Sequence, residues 1–145
     1  MDRKYWTLLT LAAAEGAFLS PVQLQKSLFL LGKNYPNEVG EFYSFKPYHF
    51  GPFDVRVYQD AEEMALEGLV HIDCSLGQRW KEYSCTSSGL NFAKEIQKNM
   101  DGTILDYLRR VVTWAREKSF EEIVRAIYKL YPEYQENSVF QEVGR

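Results

Sequence analysis

His49 is the side chain best suited by type to move a proton near neutral pH. It lies in an aromatic turn, Tyr48-His49-Phe50-Gly51-Pro52. A general base needs a nucleophile within reach and a group that orients it. Ser20, Ser27 and Ser87 have no histidine adjacent in sequence, and Glu62 and Glu63, being consecutive, point to different sides of a helix and make no dyad. The chain has no phosphate-cradling glycine loop, dinucleotide fingerprint or HExxH pair. Cys74 and Cys85 form no CxxC, and with His49 and His71 they lack the spacing of zinc ligands. These observations favour a chain without catalytic machinery, metal or cofactor. In an enzyme reading, His49 is the residue to mutate.

The charged residues point to binding instead. Between residues 52 and 67, Asp54, Asp60, Glu62, Glu63 and Glu67 oppose only Arg56, a net charge of −4. A helix so charged is repelled by phosphate, whereas a basic protein surface would attract it. Asp54, Asp60, Glu63 and Glu67, with Tyr58 among them, are therefore candidates for protein binding; a merely solvated acidic face is the bland alternative. Arg79-Trp80-Lys81 is the candidate for nucleic-acid binding, two cations around a ring that could grip a duplex backbone. Its bland alternative is a tryptophan packed on a sheet between solvated charges. Tyr43, Tyr48, Phe50, Phe53 and Tyr58 gather around the Gly-Pro turn, and aromatics serve as interface anchors as readily as core. Over all 145 residues the net charge is −3, which argues against an indiscriminate polyanion binder.

The positioning elements follow from periodicity and punctuation. Tyr5, Leu8, Leu9, Leu11 and Ala12 predict a helix over 3–15, stopped by Gly16. Ser20-Pro21 predicts a capped second helix carrying Leu24, Leu28 and Leu31 on one face. Glu41 to Lys46 alternates and reads as a short strand. Pro52 then opens a third helix over 52–67, with Phe53, Val57, Ala61 and Met64 as its buried stripe and Gly68 as its end. Residues 69–85 read as a β-hairpin around Ser75-Leu76-Gly77-Gln78. Thr86-Ser87-Ser88 caps a helix to about Lys98, Gly102 breaks it, residues 103–117 form another, and Ser119 to Glu122 is a capping box for a last helix over 120–131.

Three stretches carry a resemblance. Pro21 to Leu31 (PVQLQKSLFLL), Phe45 to Asp54 (FKPYHFGPFD) and Ile127 to Tyr134 (IYKLYPEY) are similar to the SocA-like antitoxin, or Panacea, family and to the related YwgA-like proteins. Val57-Tyr58-Gln59-Asp60 and Gly68-Leu69-Val70 add to the likeness. Tyr83 to Gly89 also resembles the strand-to-helix junction of winged-helix regulators. The resemblance implies an α+β, mainly helical winged-helix-like domain with a β-hairpin wing and C-terminal helices. It also implies a non-enzymatic role, as the antitoxin half of a toxin–antitoxin pair or as a proteolysis adaptor. The expected layout is one domain over 1–132 and a polar, flexible tail over 133–145. The expected partner is a protein, a toxin in the antitoxin case; double-stranded DNA bound by a transcription regulator is the alternative. Many winged-helix proteins pair through C-terminal helices, which leaves a homodimer open. No run reaches the roughly 20 apolar residues of a membrane span, and the expected location is the cytoplasm.

Overall fold

A helix that is apolar on every side belongs at the centre of a fold, and the first helix has that place. In the computed structural model, which describes residues 1–74 and 80–140, α1 (Lys4–Ala12) is buried at every residue from Trp6 onward. Its polar atoms are satisfied within the core. The Trp6 indole donates to the Val39 carbonyl at 2.8 Å, Thr10 Oγ1 donates to the Trp6 carbonyl, and Thr7 Oγ1 lies 2.6 Å from the Tyr43 hydroxyl.

The second helix, α2 (Pro21–Asn34), starts as its Ser-Pro signal predicts. It also has a full capping box, with Gln23 accepting from the Ser20 amide at 2.8 Å. Leu24, Leu28 and Leu31 are fully buried. The chain then departs from the sequence expectation. Of Glu41 to Lys46, only Lys46 is in a strand. Tyr43 is buried there, Phe42 and Phe45 are half-buried, and the Ser44 amide is held by Asp54. The strands lie further on, as β1 (Lys46–Tyr48) and β2 (Gly51–Phe53), an antiparallel pair in which Pro47 faces Pro52. A two-stranded ribbon tolerates both prolines because each lies on an edge where no ladder donor is required.

The third helix, α3 (Arg56–Leu66), accordingly begins at Arg56 and not at Pro52. Asp54 sets its start, accepting from the Arg56 amide at 2.9 Å. Val57, Ala61 and Met64 form its buried stripe as expected, while Phe53 falls outside the helix. A hairpin follows as β3 (Val70–Asp73) and β4 (Glu82–Cys85). Leu19 pairs with Tyr83 on the far edge of β4 through two backbone hydrogen bonds of 2.7 and 3.0 Å.

Thr86 caps α4 (Ser87–Gln97) by accepting from the Gly89 amide, and its hydroxyl donates to the Gly68 carbonyl at 2.7 Å. A Cβ at Gly89 would stand 2.0 Å from the Leu69 carbonyl oxygen, so only glycine lets this helix approach the strand. Gly102 opens α5 (Gly102–Arg116) behind an Asp101 cap, and the predicted Ser119/Glu122 capping box starts α6 (Phe120–Leu130). Of the stretch expected as a polar tail, residues 133–140 lie against the body. Pro132–Gln135 is a 3₁₀ turn, Tyr134 packs edge-on against Phe29, Tyr128 donates to Ser138 at 2.7 Å, and the Val139 amide donates to the His49 carbonyl at 2.9 Å.

Among the described residues the fold is α+β, with six α-helices and two small antiparallel hairpins. None of these helices is long and apolar enough to cross a membrane.

Candidate functional site

The acidic third helix does not present a field of free carboxylates. Asp60, 5% exposed, accepts two hydrogen bonds from the Arg3 guanidinium at 2.9 and 3.0 Å and a third from the Tyr43 hydroxyl at 2.7 Å. Burial raises the Tyr43 pKa and the Asp60 carboxylate adds to it, against an opposing pull from Thr7, so the phenol stays protonated and donates to Asp60. Asp54 is also buried and takes the Arg56 side chain at 2.6 Å. Burial works against its ionisation, but the Arg56 side chain and the Arg56 and Ser44 amides outweigh it and hold the carboxyl below the ordinary range.

The exposed acids are paired as well. Lys4 reaches Glu67 at 3.1 Å and Glu63 at 3.5 Å, and Lys81 lies 3.6 Å from Glu62. The five carboxylates thus meet four cations, three of them from other elements, which a count over residues 52–67 alone cannot register. Of the residues expected to form a docking face, Asp54 and Asp60 are buried and engaged within the fold, while Glu63 and Glu67 are exposed and share Lys4. Tyr58 does not join them. It is half-buried on the other side of α3, stacked on Tyr83 at 5.6 Å between ring centres.

The hairpin triad is only partly placed. Trp80 is 54% exposed and Lys81 is exposed, while Arg79 lies outside the described residues. Neither serine nor histidine candidates for catalysis come together. Ser20 Oγ caps α2, Ser27 Oγ is buried without a hydrogen-bond partner, and His49 is exposed, stacked on Tyr48 at 4.2 Å.

A different cluster stands out. The β1–β2 hairpin folds over the start of α2 and encloses a pocket of roughly 180 Å³. Two adjacent α2 residues hold the hairpin. The Gln25 side chain donates to the Asp54 carbonyl at 2.9 Å and accepts from the Asp54 amide at 3.2 Å, and the Lys26 ammonium donates to the Pro52 carbonyl at 3.1 Å. The PVQLQK and GPFD stretches noted in the sequence therefore meet face to face. Gly51 makes this closure feasible: it has φ +101°, and a Cβ there would press to 3.3 Å from the Tyr128 ring and 3.7 Å from Lys26 Cε.

The pocket walls are aromatic. Tyr48, Phe50, Phe53, Tyr58 and Phe120 line it, and at its mouth Tyr48, Phe50 and Phe120 are 48%, 41% and 43% exposed. Phe50 meets Phe120 edge-on at 5.0 Å, and Tyr48 stacks on Phe53 at 5.1 Å. Lys26 lines the interior and is 4% exposed. Burial pushes its ammonium down to about 7, against about 10.4 for a free lysine. No carboxylate lines the pocket with it. Roomier hollows lie between α1, α4 and α5 and beside residues 36–45, and no buried ionisable side chain lines the first, while in the second Tyr43 is already engaged by Asp60 and Thr7.

No family model matches this chain, and neither a curated protein nor a solved structure does.

Sequence reasoning missed Lys26 because it lies among Leu24, Leu28 and Phe29 in an otherwise unremarkable amphipathic helix. Helical periodicity points the other way. Residues 24, 28 and 31 define the buried face, and position 26 falls about 160° from Leu28 on a helical wheel. A lysine there is expected in solvent. Its burial comes from the hairpin that folds over α2 from the opposite side, a long-range event that helical periodicity does not encode.

Proposed function

We propose that this chain is a non-enzymatic protein-binding module of winged-helix-like build, of the antitoxin or proteolysis-adaptor type. It docks its partner through the aromatic rim of the β1–β2 hairpin. The observation that carries this reading is the exposure of Tyr48, Phe50 and Phe120 around one apolar pocket, on a hairpin pinned by Gln25 and Lys26. Large rings held rigidly at the rim of a pocket are what interface hot spots are made of, because they bury much area and lose little rotamer freedom. The self-neutralised α3 is then scaffold, and the docking surface moves from the acidic face to the hairpin. The winged-helix-like reading is supported by the order helix, Leu19 bridge, helix, β1–β2 hairpin, helix, β3–β4 hairpin, with Leu19 pairing to β4; the inserted β1–β2 hairpin is a departure from a plain helix-turn-helix.

Co-expression with the product of the adjacent gene, followed by size-exclusion chromatography, tests the proposal; the chain run alone reads whether it self-pairs. A stable complex that Tyr48→Ala with Phe50→Ala dissociates is the expected result. A complex indifferent to both substitutions removes the rim as the docking surface, and a neighbour whose toxicity this chain does not alter removes the antitoxin form.

One observation favours the DNA-binding regulator as a second reading. Trp80 is exposed beside Lys81, just before β4 and beyond the Asp73/Glu82 pair of the β3–β4 hairpin, where a wing would meet a duplex. A mobility-shift titration against salt decides it: Lys81→Ala flattens the slope by about one unit if the ammonium touches phosphate, and an unchanged slope excludes that contact.

A further inference from the structure

Lys26 poses a physical problem that the fold alone does not solve. An ammonium has three donors, and among the described residues its one hydrogen-bond acceptor is the Pro52 carbonyl. Taking such a charge out of water costs several kcal/mol unless an opposite charge accompanies it. The acids of α3 are all engaged elsewhere, and a methionine of similar length would fill the same space without that cost. The lysine nevertheless lines a pocket that opens to the surface between apolar rings.

We propose that this pocket is a binding site for a carboxylate carried on an apolar body, with Lys26 as its counter-ion. The carboxylate enters beneath Phe50 and Phe120, accepts the free N–H donors of Lys26, and leaves its apolar portion against Tyr48, Phe53 and Tyr58. Gln25 cannot compete for it, since both ends of its amide are held by the Asp54 backbone. The titratable groups that share the pocket with Lys26 are Tyr48 and His49 from the hairpin and Tyr58 from α3, with Tyr128 of α6 behind Gly51. Burial raises the Tyr58 and Tyr128 pKa values, so neither supplies the missing negative charge. An arriving carboxylate supplies it, and the lysine takes up a proton as the ligand binds.

This inference does not depend on a protein partner. The carboxylate belongs either to a small organic acid or to an acidic side chain inserted by the partner proposed above, and the same chemistry recognises both. The probes are 3-phenylpropionate, with 3-phenylpropionamide as its neutral counterpart, and a short capped peptide with Glu beside Phe, with its Gln counterpart. Each is titrated into the full chain by calorimetry and by NMR. Saturable binding of an acid at least about tenfold tighter than its amide is expected, with proton uptake seen as a dependence of the heat on buffer ionisation. Lys26→Met abolishes the preference of acid over amide, while the amide binds both proteins alike. Preference for the free acid identifies a small-molecule site, and preference for the Glu peptide identifies an acidic side chain of a partner. Equal binding of acid and amide, acid binding that survives in Lys26→Met, or no saturable shift at Tyr48, Phe50 or Tyr58 with either acid overturns the proposal. Loss of partner binding in the rim variants with no acid preference would retain the docking surface and reject the carboxylate.

Discussion

Asp60 and Lys26 are both ionisable and both almost wholly buried, at 5% and 4% exposure, yet their surroundings are opposite. Asp60 is met by three donors from Arg3 and Tyr43, and Thr7 completes the chain of hydrogen bonds behind it. Lys26 has a single carbonyl and a pocket. Burial alone therefore does not distinguish a structural charge from a functional one. The distinction lies in whether the fold itself supplies the complement. Around Asp60 it does, and that region joins α1, α3 and the 42–45 segment into one body. Around Lys26 it does not, and the unmet demand opens onto a rim where Tyr48, Phe50 and Phe120 reach solvent.

The largest expected effect tests the compensated side. Asp60→Asn leaves the Arg3 guanidinium without a counter-charge and Tyr43 with a poorer acceptor, and breaking one partner of a buried pair costs about 3–5 kcal/mol. Denaturant unfolding measures it. A loss below about 1 kcal/mol would place the network among surface ion pairs, which contribute little.

The same experiment on the uncompensated side should give the reverse sign. Lys26→Met removes a desolvated amine and keeps the volume, so stability rises, most clearly below about pH 7 where the folded lysine is charged, by about 1–4 kcal/mol if the gain matches that of replacing buried ion pairs by apolar residues. The pH dependence changes too. With the folded lysine at about 7 and the unfolded one near 10.4, the unfolded chain binds more protons between these values, so wild-type stability rises with pH across that window. The rise ends near pH 10, where unfolded tyrosines begin to ionise while burial keeps Tyr43, Tyr58 and Tyr83 protonated in the fold. The variant should lack the Lys26 rise. A destabilised Lys26→Met would mean that the Pro52 hydrogen bond outweighs desolvation and that the lysine is a structural pin.

The two regions were unequally legible in the sequence. Features governed by local chemistry read correctly, among them the Ser20 and Ser119 starts, the Thr86 cap, the Gly68 stop and the 69–85 hairpin strands. The Pro52 signal predicts a third helix four residues too early, because Pro52 lies in a strand and Asp54 launches the helix by a side-chain bond. The pairing of the acidic face is hidden for a related reason: a charge sum along one element does not register Arg3, Lys4 and Lys81, which arrive from others. The aromatic cluster around the Gly-Pro turn was visible, but its division was not: Tyr43 went to the core, Tyr48 and Phe50 to the surface, and Phe120 joined them from 70 residues further along the chain.

Gly51 offers an intermediate test of how the hairpin shapes the uncompensated site. Gly51→Ala forces a side chain into a left-handed backbone conformation and against the Tyr128 ring, at a cost of about 1–2 kcal/mol for the conformation alone. The hairpin should lift from α2, exposing Lys26 to water and returning its pKa toward the ordinary lysine value. NMR titration of the side-chain amine reads this directly. An unchanged pKa would show that the hairpin does not control access to the pocket.

The smallest expected effect decides which surface is the interface. Glu63→Gln with Glu67→Gln frees Lys4 from two exposed carboxylates, and exposed pairs of this kind contribute about 0–1 kcal/mol. Stability should hardly move. Under the proposed docking through the hairpin rim, partner affinity should also be unchanged, because the helix acids then make no contact. The double variant is informative because it alters little else: both side chains keep their size, both are exposed, and the buried Asp60 network is untouched. If it weakens the complex as much as removal of Tyr48 and Phe50 does, the partner reads α3 after all. The carboxylates paired with Lys4 would then exchange that lysine for a cation on the partner.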